Sequence, residues 1–308
     1  MKLFSKLVCF KAMLFILNSF GQHDPQFTQY MFNTVTVNPA YAGSKGHKVI
    51  TAIGRVQWLG FEGAPVTQHL TYDAPIGESG LGLGVNLVND KIGPSNEVNF
   101  NTNLSYTIKI NEHRKIAFGL RLGGRVLNTN WAQANVIQEE SLSQNNVNGK
   151  FLPTIGTGVF YYDKKWYMGL SVPNFLRTEY YDLNNVGKGI VTFERMQFYF
   201  ISGYVFDLSE TIKFKPATLV KGISGSPLSL DISANFLFND KFRMGMSWRW
   251  GDSVSTLLGF QVSKSVLIGY AYDLTTSNYN LINNGTHELM LRYEIFNKLL
   301  KYKSPRFF

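Results

Sequence analysis

The chain has 308 residues and a formal net charge of +9, with 44% hydrophobic, 15% aromatic and only 17% charged residues. Average globular chains carry about 25% charged residues, and disordered ones are poor in aromatics, so this composition excludes a disordered chain. Beyond the amino-terminal 21 residues no stretch approaches the roughly 18 uncharged apolar residues of a membrane helix, which leaves all-β architectures, soluble or in an outer membrane.

Met1 to Phe20 carries Lys2, Lys6 and Lys11, then an apolar core from Ala12 to Leu17, with Ser19 and Gly21 at the small-residue positions of a cleavage site. That order predicts a signal peptide over residues 1 to 21 and an exported protein. Cleavage after Gly21 leaves about 287 residues and removes Cys9, the only cysteine. A mature chain without cysteine has no disulfide, thiol nucleophile or cysteine-ligated zinc. Loss of the three signal lysines lowers the charge from +9 to +6, too mild to imply nucleic acid.

Residues 22 to 46 are expected to form a periplasmic leader. Asp24-Pro25 can start a helical turn, placing Phe27, Tyr30 and Met31 on one face at i, i+3 and i+4, while Asn38-Pro39 and Gly43 form turns. An aromatic cluster of this kind needs somewhere to pack, so the leader is expected as a collar below a barrel or as an insert entering it from below.

From residue 47 the chain alternates apolar with polar or small residues in segments of about ten, the length of a tilted membrane strand. Val98, Phe100, Thr102, Leu104, Tyr106, Ile108 and Ile110 oppose Asn99, Asn101, Asn103, Ser105, Thr107 and Lys109, and no helix produces that period of two. Leu228 to Phe238 and Phe242 to Trp250 repeat it. Strands are predicted at 47 to 58, 66 to 75, 80 to 91, 95 to 109, 113 to 126, 154 to 163, 165 to 173, 195 to 206, 211 to 220, 227 to 238, 241 to 250, 254 to 263, 265 to 274 and 286 to 296. The connections alternate between tight turns and longer loops. Fourteen antiparallel strands so joined predict an up-and-down outer-membrane β-barrel over residues 47 to 296, with short periplasmic turns, longer extracellular loops and both termini periplasmic. Pro216 is expected to force a bulge or break, and Asn-rich 143 to 148 reads as a loop tip.

Alternation turns Arg121, Arg125, Asp231, Arg243, Arg249, Glu288, Arg292 and Glu294 toward the lumen. There they are expected to pair with one another or to line a channel. The five histidines, His23, His47, His69, His113 and His287, show no metal-ligand spacing, and no nucleophile-base pair stands out, so neither enzyme activity nor a cofactor or metal is expected. The tail, residues 297 to 308, mixes Lys298, Lys301, Lys303 and Arg306 with Leu299, Leu300, Tyr302, Phe307 and Phe308, which suits a periplasmic contact with an acidic partner surface.

Residues 24 to 43 read Asp-Pro-Gln-Phe-Thr-Gln-Tyr-Met-Phe-Asn-Thr-Val-Thr-Val-Asn-Pro-Ala-Tyr-Ala-Gly. This closely resembles the opening signature of the PorP/SprF family of the type IX secretion system of Bacteroidota. Leu-Gly-Leu-Gly-Val at 81 to 85, Asn-Asp-Lys-Ile-Gly-Pro at 89 to 94 and Ser-Pro-Arg-Phe-Phe at 304 to 308 are also similar to the family. The resemblance implies an outer-membrane component of protein secretion, and in some members of gliding, in contact with outer-membrane lipid, periplasmic lipoproteins and large adhesin-like cargo. The residues expected to dock partners are Asp24, Pro25, Phe27, Gln29, Tyr30, Met31, Asn33, Asn38, Pro39, Tyr41, Gly43, Arg306, Phe307 and Phe308. The alternative is an independent porin or transporter of small molecules or hydrophobes.

Overall fold

The computed structural model describes residues 25–130, 146–176, 196–223, 227–277 and 283–296. Period-two alternation folds into one closed antiparallel sheet of fifteen strand segments. In chain order they are β1 (Lys48–Val56), β2 (Val66–Ile76), β3 (Leu81–Ile92), β4 (Ser95–Lys109), β5 (Lys115–Thr129), β6 (Val147–Tyr162), β7 (Trp166–Val172), β8 (Gln197–Tyr204), β9 (Phe206–Asp207), β10 (Ile212–Ile223), β11 (Ser229–Phe238), β12 (Phe242–Arg249), β13 (Ser253–Gln261), β14 (Val266–Thr275) and β15 (Thr286–Ile295). β8 and β9 are one stave interrupted at Val205, so the barrel has fourteen staves, as expected from the sequence. Each stave pairs with its sequence neighbour, and β1 pairs with β15 from Lys48↔Ile295 to Val56↔His287, leaving no free sheet edge.

The faces follow the pleat. On β15, Leu289, Leu291 and Tyr293 point outward and exposed, while Glu288, Met290, Arg292 and Glu294 point inward and are buried. On β4, Phe100, Leu104 and Tyr106 face out, and Asn101, Asn103 and Ser105 face in. A soluble protein would not leave such an apolar outer wall in water; lipid is the solvent that suits it. Near the ends of β8 to β12 a ladder of rings runs Tyr204, Phe206, Phe214, Phe236, Phe238 and Phe242, with consecutive centroids 4.5 to 6.3 Å apart. Aromatic rings of this kind collect at a membrane–water boundary.

Both ends of the sheet path, Lys48 and Ile295, lie at the end that carries the tight turns after β2, β4, β6, β9, β11 and β13. We call it the short-turn end and the opposite one the long-loop end. The loops there are not uniformly long, since Gly93-Pro94 alone joins β3 to β4. Three local expectations are corrected. First, β6 starts at Val147 rather than 154, because it runs on past the end of its pairing with β7 at Thr157↔Val172 and keeps pairing with β5 up to Thr129↔Val147 across a register shift. Part of the Asn-rich loop tip is therefore strand. Second, β10 runs unbroken through Pro216, which faces Ala234 in an uninterrupted ladder. The interruption lies in the other neighbour: pairing resumes at Phe214↔Phe206 after stopping at Ala217↔Gly203, because a residue without an N–H cannot complete the ladder there. Third, the leader has no α-helical turn at Pro25. It makes three 3-10 turns, Tyr30–Phe32, Thr34–Thr36 and Pro39–Tyr41. Short i to i−3 bonds such as Asn33 N to Tyr30 O and Tyr41 N to Asn38 O close these turns, and the barrel wall takes up peptide groups that they leave over.

Candidate functional site: the leader within the lumen

The core of the molecule is the leader packed inside the barrel. Phe27, Tyr30, Met31, Phe32, Val35, Ala40, Tyr41 and Ala42 are buried together with inward residues of nearly every part of the wall, among them Ile53, Ala117, Phe160, Ile201, Leu219, Leu257 and Met290. Phe27 stacks on His69, with centroids 4.9 Å apart, and Tyr41 meets the edge of Phe160 at 5.3 Å. Pro25 to Thr28 lie toward the long-loop end, beside Asp231, Asp273 and Glu288, and the chain descends to Gly43 beside Asp73 near the short-turn end.

A peptide segment enclosed in a barrel must have its backbone polar groups satisfied by the wall. The inward polar side chains do this. The Glu288 carboxylate accepts the N–H groups of Thr28 at 2.9 Å and Gln29 at 3.0 Å. Arg121 donates to the carbonyls of Val35 at 3.0 Å and Thr36 at 2.8 Å, and Arg292 donates to that of Phe32. Ser171 donates to Val37 at 2.7 Å and Ser105 to Ala42 at 2.6 Å, while Asp73 accepts the Gly43 N–H at 2.6 Å. Asn38 caps the third turn by accepting from Ala40 N at 2.9 Å, and its amide donates to the carbonyls of Val159 at 3.0 Å and Leu170 at 3.4 Å. Replacing Asn38 by Ala would orphan several buried groups, and a loss of about 1–3 kcal/mol in equilibrium unfolding is expected. An unchanged denaturation midpoint would remove Asn38 from this role.

Close backbone approach adds a steric requirement. A side chain at Gly119 would run into the backbone of Pro39 and Ala40, and one at Gly82 into the carbonyl of Ala42. Gly43 itself has φ +71°, a left-handed conformation suited to glycine, and abuts Gly82.

The charges pair across strands. Arg55 bridges Asp273 at 3.0 Å and Glu288 at 3.1 Å, and the Thr28 hydroxyl donates to Asp273 and accepts from Arg55. Arg249 pairs with Asp231 at 2.9 Å and Asp252 at 3.0 Å, and Gln26 donates to Asp231 at 2.7 Å. Arg125 lies 3.6 Å from Glu97, and Glu294 sits 3.7 Å from both Arg292 and His47. Arg243 reaches Gln261 at 3.4 Å. In the turn before β1, burial pushes the Lys45 ammonium down to about 7; Arg292 adds to this, and Glu294 and Asp73 oppose it. At an exposed short turn, the Lys165 ammonium is raised by its 2.7 Å contact with Asp207.

All eight charged residues expected in the lumen thus lie on the inner face, and Pro25, Phe27, Gln29, Tyr30, Met31, Asn33, Asn38, Pro39, Tyr41 and Gly43 lie in or at the mouth of the barrel. Asp24 and the tail with Arg306, Phe307 and Phe308 fall outside the described residues. Sequence reading missed Arg55, Asp73, Asp273, Lys215 and Lys221, all buried inward. Strand parity marks each of them: Asp73 shares a face with Thr67, His69 and Thr71, and Lys215 and Lys221 share one with Ala217 and Leu219. Toward the long-loop end, beside the leader, a cavity of about 90 Å³ is lined by Phe27 and Tyr30 of the leader and by His69, Asn101, Arg125 and Thr154 of the wall, among others.

A closed fourteen-stave barrel with an apolar outer wall and a polar lumen threaded by its own amino-terminal segment is an outer-membrane β-barrel. In overall shape it is similar to the Ralstonia pickettii toluene transporter TbuX, at TM-score 0.50 and 11% identity over 85% of this chain and 93% of that one. The CymD monoaromatic hydrocarbon channel gives TM-score 0.49 and 12% identity over 90% and 95%. Such low identity speaks to fold alone. No curated protein matches the chain. Residues 19–293 match the family described as type IX secretion system membrane protein PorP/SprF, and the chain belongs to that family. It is therefore a membrane component of type IX secretion, set in outer-membrane lipid among other components of that system.

Proposed function

We propose that this barrel is a non-enzymatic, internally braced support of the type IX machinery, aiding export or surface anchoring of secreted proteins such as large adhesins. The observation that carries the reading is the fate of the family signature: its residues fill the lumen and are held there by wall side chains from β1, β2, β4, β5, β7, β14 and β15. A segment used to brace the barrel is not spent on a permeation path. In this reading the short-turn end, where β15 ends, faces the periplasm, while the leader begins at Pro25 toward the opposite, long-loop end. At the short-turn end the mouth of the barrel around Gly43 to His47 and the tight turns present a firm surface to periplasmic lipoproteins, the tail residues Arg306, Phe307 and Phe308 are proposed to add a partner contact, and gliding draws on the same attachment.

The test is a mild-detergent pull-down of the tagged chain, paired with a deletion strain and planar-bilayer recordings. Recovery of periplasmic secretion partners or a large secreted protein is expected, with that cargo retained in the deleted cells and no steady conductance. The cavity at the long-loop end favours a second reading, an independent porin or hydrophobe transporter. Steady conductance or solute uptake by a barrel recovered alone, with secretion intact, would establish that reading and defeat ours.

A further inference from the structure

The lower half of the lumen carries an unusual set of charges. Lys215 on β10, Arg243 on β12 and Arg292 on β15 point inward, and Lys45 lies in the turn ahead of β1; Lys215 and Arg292 are wholly buried. They form one group: Lys215 feels the fields of Arg243, Arg292 and Lys45, and Arg243 that of Arg292. Phe32 of the leader lies among them, with Lys215 Nζ 5.2 Å and Arg243 Cζ 5.6 Å from its ring centroid. The carboxylates set against this group, among the described residues, are Glu294 and Asp73, plus exposed Asp240 at a turn.

The guanidinium atoms show where the imbalance lies. Nε and Nη1 of Arg243, and Nε and Nη1 of Arg292, are buried without a hydrogen-bond partner. The Arg292 Nη1 to Glu294 separation of 3.7 Å is an ion pair but not a hydrogen bond. Arg243 lies over Gly259, whose missing side chain leaves it room. Buried cations are tolerated when paired and hydrogen-bonded, and planar guanidinium donors suit two-oxygen anions.

We propose that this half of the lumen is an oxyanion site, in which Arg243 and Arg292 donate to a phosphate or carboxylate group lodged beside Phe32, with Lys45 and Lys215 adding charge. The two oxyanion sources are a free inorganic ion and a terminal carboxylate carried on a peptide.

Purified full-length barrel in detergent tests this by thermal unfolding in increasing inorganic phosphate, against chloride at matched ionic strength. A saturable rise in midpoint with phosphate and none with chloride is expected. Arg243→Gln should weaken the apparent affinity about tenfold or more, whereas Arg243→Lys should keep part of it. Arg243 makes no hydrogen bond to the leader backbone among the described contacts, so these variants should fold; retained heat-modifiable migration on gels checks that they do. Equal shifts with both salts, or an affinity unmoved by Arg243→Gln in a folded barrel, would overturn the site. A short peptide that competes with phosphate, while its carboxy-amidated form does not, would assign the carboxylate source; no competition by either peptide, with phosphate binding intact, would assign the free ion.

Discussion

Replacing Arg55 by Ala should destabilise the barrel by about 3–5 kcal/mol, the largest effect expected from a single side chain here. Its guanidinium stands between Asp273 and Glu288, at 3.0 and 3.1 Å, where all three side chains are at most 4% exposed. Removing it leaves two carboxylates facing each other in an enclosed lumen, held only by hydrogen bonds from the leader and Ser255 and by the more distant field of Arg249. The same change withdraws a donor from Thr28, so the upper end of the leader should loosen together with the wall. Urea unfolding of the purified protein in micelles, followed by tryptophan fluorescence, reads the loss. An unchanged midpoint would show that Arg55 is not the keystone of this cluster. Lys at this position should recover only part of the loss, because a single ammonium cannot span both carboxylates in the planar geometry of a guanidinium.

The second large effect is steric. Gly119→Val places a side chain where the backbone of Pro39 and Ala40 now runs. Neither side can yield cheaply, since Gly119 is fixed in ladders with Ser105 on β4 and Gly158 on β6. Overpacking of this sort costs about 1–3 kcal/mol when the surroundings can adjust, and the mobile partner here is the leader. The expected outcome is a barrel that still forms while residues 25 to 46 become cleavable by added protease and ion flow appears in planar bilayers. A leader that stays protected in Gly119→Val would mean that the wall, not the leader, had moved.

How far the sequence foretells this structure depends on which physical rule is being read. Strand placement rests on pleat parity, a local property, and β4 falls at Ser95 to Lys109 as anticipated because thirteen alternating residues admit one register. Inward charges obey the same parity, and Arg55 or Asp73 would have been found by applying it to every strand. Their partners are another matter. Arg55 meets Glu288 only because β1 and β15 join, a contact across 233 positions that no periodicity encodes. The leader shows the same limit. Its aromatic cluster announces a need for burial, but the 3-10 turns arise because Glu288, Arg121, Arg292 and Ser171 take up peptide groups that a helix would have bonded internally. At Pro216 the rule was right and its target wrong, since the missing N–H interrupts pairing with the adjacent stave and leaves β10 whole.

The seam between β1 and β15 also bears on how the molecule is put together. Those strands are the two ends of the barrel path, so theirs is the strand pairing of highest sequence separation, the slow kind to form. The lumenal side of the seam carries Arg55, Glu288 and Arg292, three of the residues that hold the leader, and the leader runs directly into β1. Threading it after closure would require pulling a polar backbone past finished walls. The leader is better understood as a mandrel around which the sheet is rolled, already lying between the staves when the last seam zips over it.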